Sequence, residues 1–143
     1  MNLDVSEIKF SRNDLKREIR LPEKLTLKLA EDIGIMTGDG YVSLCIRGTT
    51  KDYETGIAGH SITDKLYLKQ FVNPLKEYLF NIKYKYLEKD SNTYVLRLRS
   101  CAVMTFYHEI VGLPLGSKQK ISVPNIIMTS NNNIKKAFLR GLD

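Results

Sequence analysis

From Glu23 the apolar residues Leu25, Leu29, Ile33 and Met36 recur at helical spacing up to a Gly-Asp-Gly turn, which predicts a helix over about residues 23 to 37. Beyond the turn the period changes. Val42, Leu44 and Ile46 alternate with Tyr41, Ser43, Cys45 and Arg47, the pattern of a strand with one buried face. The polar, Gly-bearing stretch from Gly48 to Gly56 reads as a loop, and Ile57 to Thr63 as the partner strand of a long-looped hairpin. Asp64 then opens a second helix through Leu66, Phe71, Leu75 and Leu79, which Asn73-Pro74 kinks or splits.

Ile82 to Glu88 and Thr93 to Arg99 alternate again and are joined by a polar turn, Lys89 to Asn92, giving a second hairpin. Ser100 caps a third helix, Cys101 to Val111, which Gly112 and Pro114 stop. A loop follows from Leu113 to Pro124, and a last helix starts at Ile134 and runs to Leu142. The order helix, two strands, helix, two strands, helix predicts an α+β domain, α-β-β-α-β-β-α, with a four-stranded, mostly antiparallel curved sheet. Residues 1–22 are charge-rich, weakly patterned and closed by Leu21-Pro22, so they read as an extension ahead of a domain over residues 23–128.

Composition narrows the classes. A chain of 143 residues that is 43% hydrophobic holds one core and is too short for two ordinary domains. Its 22 Lys and Arg against 16 Asp and Glu leave a charge of +6, which favours anionic partners such as nucleic acid. No run approaches the roughly eighteen apolar residues of a membrane span, and Met1 to Arg20 lacks the apolar middle of a secretory signal, so an intracellular, cytoplasmic protein is expected. Cys45 and Cys101 stand alone in apolar segments and read as buried free thiols. With only His60 and His108 besides, no structural zinc site is expected, and any catalytic metal is expected to have oxygen ligands. His108, among Phe106, Tyr107 and Ile110, reads as a residue near the core.

Two features carry chemistry. Ala30, Gly34 and Gly38 form a stripe of small side chains on the first helix, fit for close packing either on its own sheet or on a second copy. Asp39 follows, between two glycines that let the backbone turn and let a ligand approach, as a turn aspartate or a metal ligand. On the strands, Tyr41, Ser43, Arg47, Lys83, Lys85, Arg97 and Arg99 fall opposite the apolar positions, a surface suited to phosphates and base edges. His60 shares a face with Ala58 and Ile62, as a half-buried structural histidine or a further DNA contact.

Leu29 to Tyr41, LAEDIGIMTGDGY, resembles the signature helix of the LAGLIDADG homing endonucleases, with Gly34, Gly38, Asp39 and Gly40 in its characteristic places. The order of elements resembles that family too, as does GLPLGSK at 112–118 followed by an Ile-Ser-Val-Pro run ending at Pro124. The resemblance implies a site-specific endonuclease that hydrolyses both strands of a long double-stranded DNA site laid on the concave sheet face. It implies a divalent cation, usually Mg2+, on the Asp39 carboxylate and the Gly38 carbonyl, and Lys118 as a charge stabiliser or water-orienting group, with Lys120 competing for that role.

The stretch AFLRGLD at 137–143 resembles the start of a second signature helix, so residues 129–143 are read as a truncated second motif. Three readings follow: a homodimer pairing Ala30, Gly34, Met36 and Gly38 of two copies and supplying Asp39 twice; a non-catalytic DNA-binding regulator or RNA-binding intron maturase; or the N-terminal half of a longer two-motif endonuclease.

Overall fold

Ser11 and Asp14 define the first element by capping each other. The Asp14 N–H donates to Ser11 Oγ at 3.0 Å and the Ser11 N–H to Asp14 Oδ2 at 3.0 Å, opening α1 (Arg12–Lys16). The computed structural model, which describes residues 1–60, 62–88, 92–116 and 122–142, packs this stretch into the body of the domain. Leu3, Ile8 and Ile19 join the core, and Asp14 is fully buried. What fastens the segment is polar: Asp14 also accepts from Ser100 Oγ at 2.8 Å and from the Ala102 N–H at 2.9 Å. One carboxylate thus serves the N-termini of two helices far apart in the chain.

The long helix α2 (Leu27–Asp39) starts at Thr26, whose hydroxyl accepts from the Leu29 N–H at 3.2 Å. The spacing predicts a start near residue 23, but Lys24 instead bridges to Asn2 and Leu25 is buried ahead of the helix. β1 (Gly40–Arg47) follows at once and pairs antiparallel with β2 (Thr50–His60). Their register pairs Arg47 with Thr50 across a two-residue turn in which Gly48 takes φ +62°. The loop expected over 48–56 is therefore mostly strand. This end of the hairpin projects past the core, with Ile46, Thr50 and Lys51 exposed, so no apolar alternation marks it.

α3 (Lys65–Tyr67) and α4 (Asn73–Phe80) are joined by a π turn, Leu68–Val72, closed by the Asn73 N–H on the Leu68 carbonyl. Pro74 has no N–H to donate, and the wider turn absorbs the missing bond. The π turn also shifts the helical phase. Leu68, Val72, Leu75 and Leu79 are buried, whereas Leu66 and Phe71, predicted to face the core, are exposed.

β3 (Lys85–Glu88) and β4 (Thr93–Arg99) complete an antiparallel sheet in the order β1-β2-β4-β3. β3 begins later than residue 82 because the Asn73 side chain takes the backbone of Tyr84: Oδ1 accepts its N–H at 2.8 Å and Nδ2 donates to its carbonyl at 3.2 Å. Ser100 caps α5 (Cys101–Thr105), which continues as a second π turn, Phe106–Val111, to Gly112 at φ +92°. α6 (Asn125–Met128) and α7 (Asn132–Leu142) follow. The α+β architecture and the four-stranded antiparallel sheet are those the sequence pattern predicts.

Between α2 and the sheet runs a buried polar chain. Lys76 Nζ pairs with Asp32 Oδ1 at 2.5 Å and donates to Tyr107 Oη at 2.6 Å, and Tyr107 Oη donates to Asp32 Oδ2 at 2.5 Å. Tyr84 Oη and Thr55 Oγ1 share a bond of 2.8 Å on the sheet side. An ion pair taken fully out of water is tolerated where such bonds complete it. Burial holds the Lys76 pKa below its ordinary range, against the opposing charge of Asp32. Burial pushes the Tyr84 and Tyr107 hydroxyls up, and the Asp32 charge adds to the effect on both.

The cysteines correct the reading above: both are free, but Cys45 is exposed on the projecting end of β1 and Cys101 is half-buried. Among the described residues no helix is long and apolar enough to cross a membrane.

Candidate nucleic-acid interface and metal centre

α2 and α7 lie backbone to backbone, and their glycines are the reason. A methyl group on Gly34 would overlap the Phe138 carbonyl, and one on Gly141 would overlap the Glu31 carbonyl. The contact therefore reads the same from either helix: Glu31 and Gly34 of α2 correspond to Phe138 and Gly141 of α7, and buried Ala30 corresponds to buried Ala137. Arg140 reaches Glu31 at 3.6 Å across the same seam. Further along, a Cβ on Gly38 would stand 3.3 Å from the Leu142 carbonyl oxygen. The Gly34 and Gly38 part of the face that the sequence reading offers to a second copy, a face that also takes in Ala30 and Met36, is thus covered within the chain by α7.

Asp39 is the last residue of α2, and it is exposed. The Gly40 N–H returns to the Met36 carbonyl, and Asp39 stands at the C-terminal end of the helix, where the helix dipole favours a cation. Beside Asp39 is a cavity of about 250 Å³ whose lining includes Gly59, Asp64, Tyr67 and Gly141. The sequence pattern marks neither Tyr67 nor Asp64 as a site residue. Asp64 reads as a helix cap but does not cap α3; its Oδ2 accepts the His60 N–H at 2.7 Å, and Gly59 leaves room for it. Burial raises the Tyr67 pKa, with Glu31 and Asp39 contributing negative charge nearby. The donors at this end are oxygens, matched to a hard divalent cation. Among the described residues no group of three or more His, Cys, Asp or Glu that could hold a metal ion converges.

Strand register assembles the second surface. Tyr41, Gly56, Arg97 and Lys85 are consecutive partners across β1, β2, β4 and β3, and Ser43, Glu54 and Arg99 form the next row on the same, outward face. The Tyr41 ring lies over Gly56, where a Cβ would collide with it, and its hydroxyl donates to Glu54 Oε2 at 2.6 Å. Arg99 Nε meets Glu54 Oε1 at 3.4 Å. Burial and then Glu54 push the Tyr41 pKa up, while Arg97 and Arg99 pull it down, as expected for groups crowded on one face. Glu54 was missed in the sequence because it fell in the supposed loop.

The remaining predicted residues are more scattered. Arg47 is exposed on the projecting end of β1, and Lys83 is exposed just ahead of β3. His60 is exposed at the end of β2, not half-buried, and its Nδ1 accepts from the Ile62 N–H at 3.2 Å. His108 bonds the Leu113 carbonyl through Nδ1 at 2.8 Å, a structural role. Lys118 and Lys120 lie outside the described residues.

A close pair of small-residue helices ending in an acidic turn, above an open antiparallel sheet, gives this chain the fold of a LAGLIDADG homing endonuclease. Solved structures that match include those of the homing endonuclease I-DmoI. A variant of it in complex with nicked target DNA and manganese aligns with a TM-score of 0.62 and 23% identity, over 84% of this chain and 61% of that one. Its complex with DNA and calcium gives 0.61 and 23% over 84% and 57%. Its complex with DNA and manganese gives 0.63 and 21% over 83% and 61%. The chain thus spans less than two thirds of the length of the structures it matches. No family model and no curated protein matches the sequence.

Proposed function

We propose that the chain acts in metal-dependent, site-specific hydrolysis of double-stranded DNA, with α2 and α7 as the paired signature helices of a two-motif endonuclease. The observation that carries this reading is the convergence at Asp39: the glycine-packed seam ends at an exposed carboxylate, beside a sheet face bearing Lys85, Arg97 and Arg99. The I-DmoI structures that share the fold contain target DNA with manganese, or DNA with calcium, which supports the same class of ligand here.

In this reading the duplex lies on the outward face of the sheet. Lys83, Lys85, Arg97 and Arg99 hold backbone phosphates or guanine edges, and Tyr41, Ser43, Arg47 and His60 are further contacts. The Asp39 carboxylate and Gly38 carbonyl would hold Mg2+ or another divalent cation, the rest of its shell coming from water and phosphate. Such a cation, when bound, polarises the scissile phosphate and makes water more acidic. Lys118 would stabilise charge at the same phosphate. Cleavage also needs a second acidic group beside Asp39, at the end of α7 or from a second copy. A homodimer built on Ala30, Gly34, Met36 and Gly38 would first have to displace α7, which favours a partner helix in cis.

The test combines light scattering with nicking of a plasmid library in Mg2+ or Mn2+. Metal-dependent nicking that disappears in Asp39→Asn supports the reading, with a loss of on the order of 100-fold or more, since even groups that only orient metal ligands cost about 10–100-fold. A monomer that binds duplex yet nicks no plasmid with either metal sinks the enzyme and leaves a nucleic-acid-binding protein.

A further inference from the structure

The N-terminal segment contributes to a basic hollow that the sheet alone would not form. Between α1, the residues before β3 and the end of β4 lies a cavity of about 480 Å³ whose polar lining is Asn13, Arg17, Lys83, Lys85, Arg97 and Arg99, with Ile82 and Leu98 completing the wall. No acidic side chain lines it. Arg17 is placed deliberately: its Nη2 donates to the Arg99 carbonyl at 2.8 Å and to Asp14 Oδ1 at 3.2 Å, and its Nε donates to the Asn13 carbonyl at 3.3 Å. Asp14 is itself fixed by Ser100 and Ala102, so the guanidinium is anchored to the rigid end of β4. Among the described residues no carboxylate forms an ion pair with Lys83, Lys85 or Arg97. A concave wall of one sign, partly apolar, focuses potential on an anion.

We propose that Asn13 and Arg17 belong to the DNA interface, and that this hollow holds backbone phosphate of the duplex beyond the part lying on the sheet. The register runs its sheet wall from Arg97 and Lys85, in the row next to the one that Gly40 begins, to Arg99 at the end of β4, so the contact extends in the direction away from Asp39. The inference rests on the DNA-binding reading above and adds a segment to it. Guanidinium and amide donors suit phosphate oxygens, and such contacts set position and salt dependence while leaving sequence to the strands.

The test measures binding of the whole chain to an arbitrary-sequence duplex by fluorescence anisotropy across a salt series. Arg17→Gln is expected to make the slope of log K against log salt shallower by about 1, and Asn13→Lys to make it steeper by a similar amount. Arg17→Lys keeps the charge and is expected to keep the slope even if the lost fork lowers the melting temperature. That separates phosphate contact from a purely structural clamp. Unchanged slopes in both Arg17→Gln and Asn13→Lys, with Arg47→Gln still shallower, overturn the inference and leave the sheet reading standing. A wild type whose binding ignores salt, or that does not bind, overturns the DNA reading itself. Inorganic phosphate at constant ionic strength is expected not to displace the duplex; displacement lost in Arg17→Gln would assign the hollow to a small free anion and refute the proposal.

Discussion

The α2–α7 seam and the outward sheet face are built on opposite rules. At the seam, two backbones approach so closely that a single methyl at Gly34 or Gly141 has nowhere to go, and the atoms in the way are main-chain carbonyls. On the sheet face, side chains of either charge stand in rows, half-buried or exposed, and Glu54 bonds both Tyr41 and Arg99. The first region fixes the position of Asp39 and has almost no freedom to vary. The second can change its residues at little cost to the fold.

That contrast predicts unequal sensitivities. Gly34→Val should be the most damaging change, costing about 3 kcal/mol or more, because the obstacle is backbone and cannot rotate away. Urea unfolding would read it as a lower midpoint at unchanged slope; a midpoint equal to the wild type would mean that α7 does not occupy the seam in solution.

An intermediate effect should come from the polar layer between the two regions. Tyr84 and Tyr107 have pKa values raised above the ordinary 10.0 by burial. The unfolded chain therefore loses these protons first, so their contribution is present below about pH 10 and declines above it, by about 1.4 kcal/mol per pH unit for each. Melting temperatures followed from pH 9 to 11 should fall, and less steeply in Tyr84→Phe. Equal slopes for the two proteins would show that Tyr84 ionises as freely folded as unfolded.

The smallest effect on stability is expected on the face. Lys85→Gln with Arg97→Gln should leave unfolding within about 0.5 kcal/mol of the wild type while making the DNA salt slope shallower by about 2. A large loss of stability with no change in slope would move these cations from the interface into the scaffold.

Elements whose apolar face meets the core were legible in the sequence. α2, α5 and β4 could be read from spacing and caps, since Leu29, Ile33 and Met36, or Leu96 and Leu98, are buried as their period demands. The first half of β2 was hidden because neither face is buried. Asp64 and Tyr67 were hidden because they reach the cavity beside Asp39 through a change of helical phase that no fixed period describes. The N-terminal segment was read as an appendage because its fastening is one aspartate and its hydrogen bonds, which leave no mark in a hydrophobic pattern. The glycine stripe was legible as a close-packing surface, but spacing could not say which helix would fill it.

The π turn at Leu68–Val72 makes the site beside Asp39 depend on a count of residues as well as on their kinds. Deleting one residue there would let the helix close as ordinary α-helix and turn everything ahead of it by about 100° relative to α4. Tyr67 would swing away from Asp39 while the core residues from Leu75 onward stayed in place. A single-residue deletion between Lys69 and Val72 therefore resets this cavity without removing any side chain that lines it.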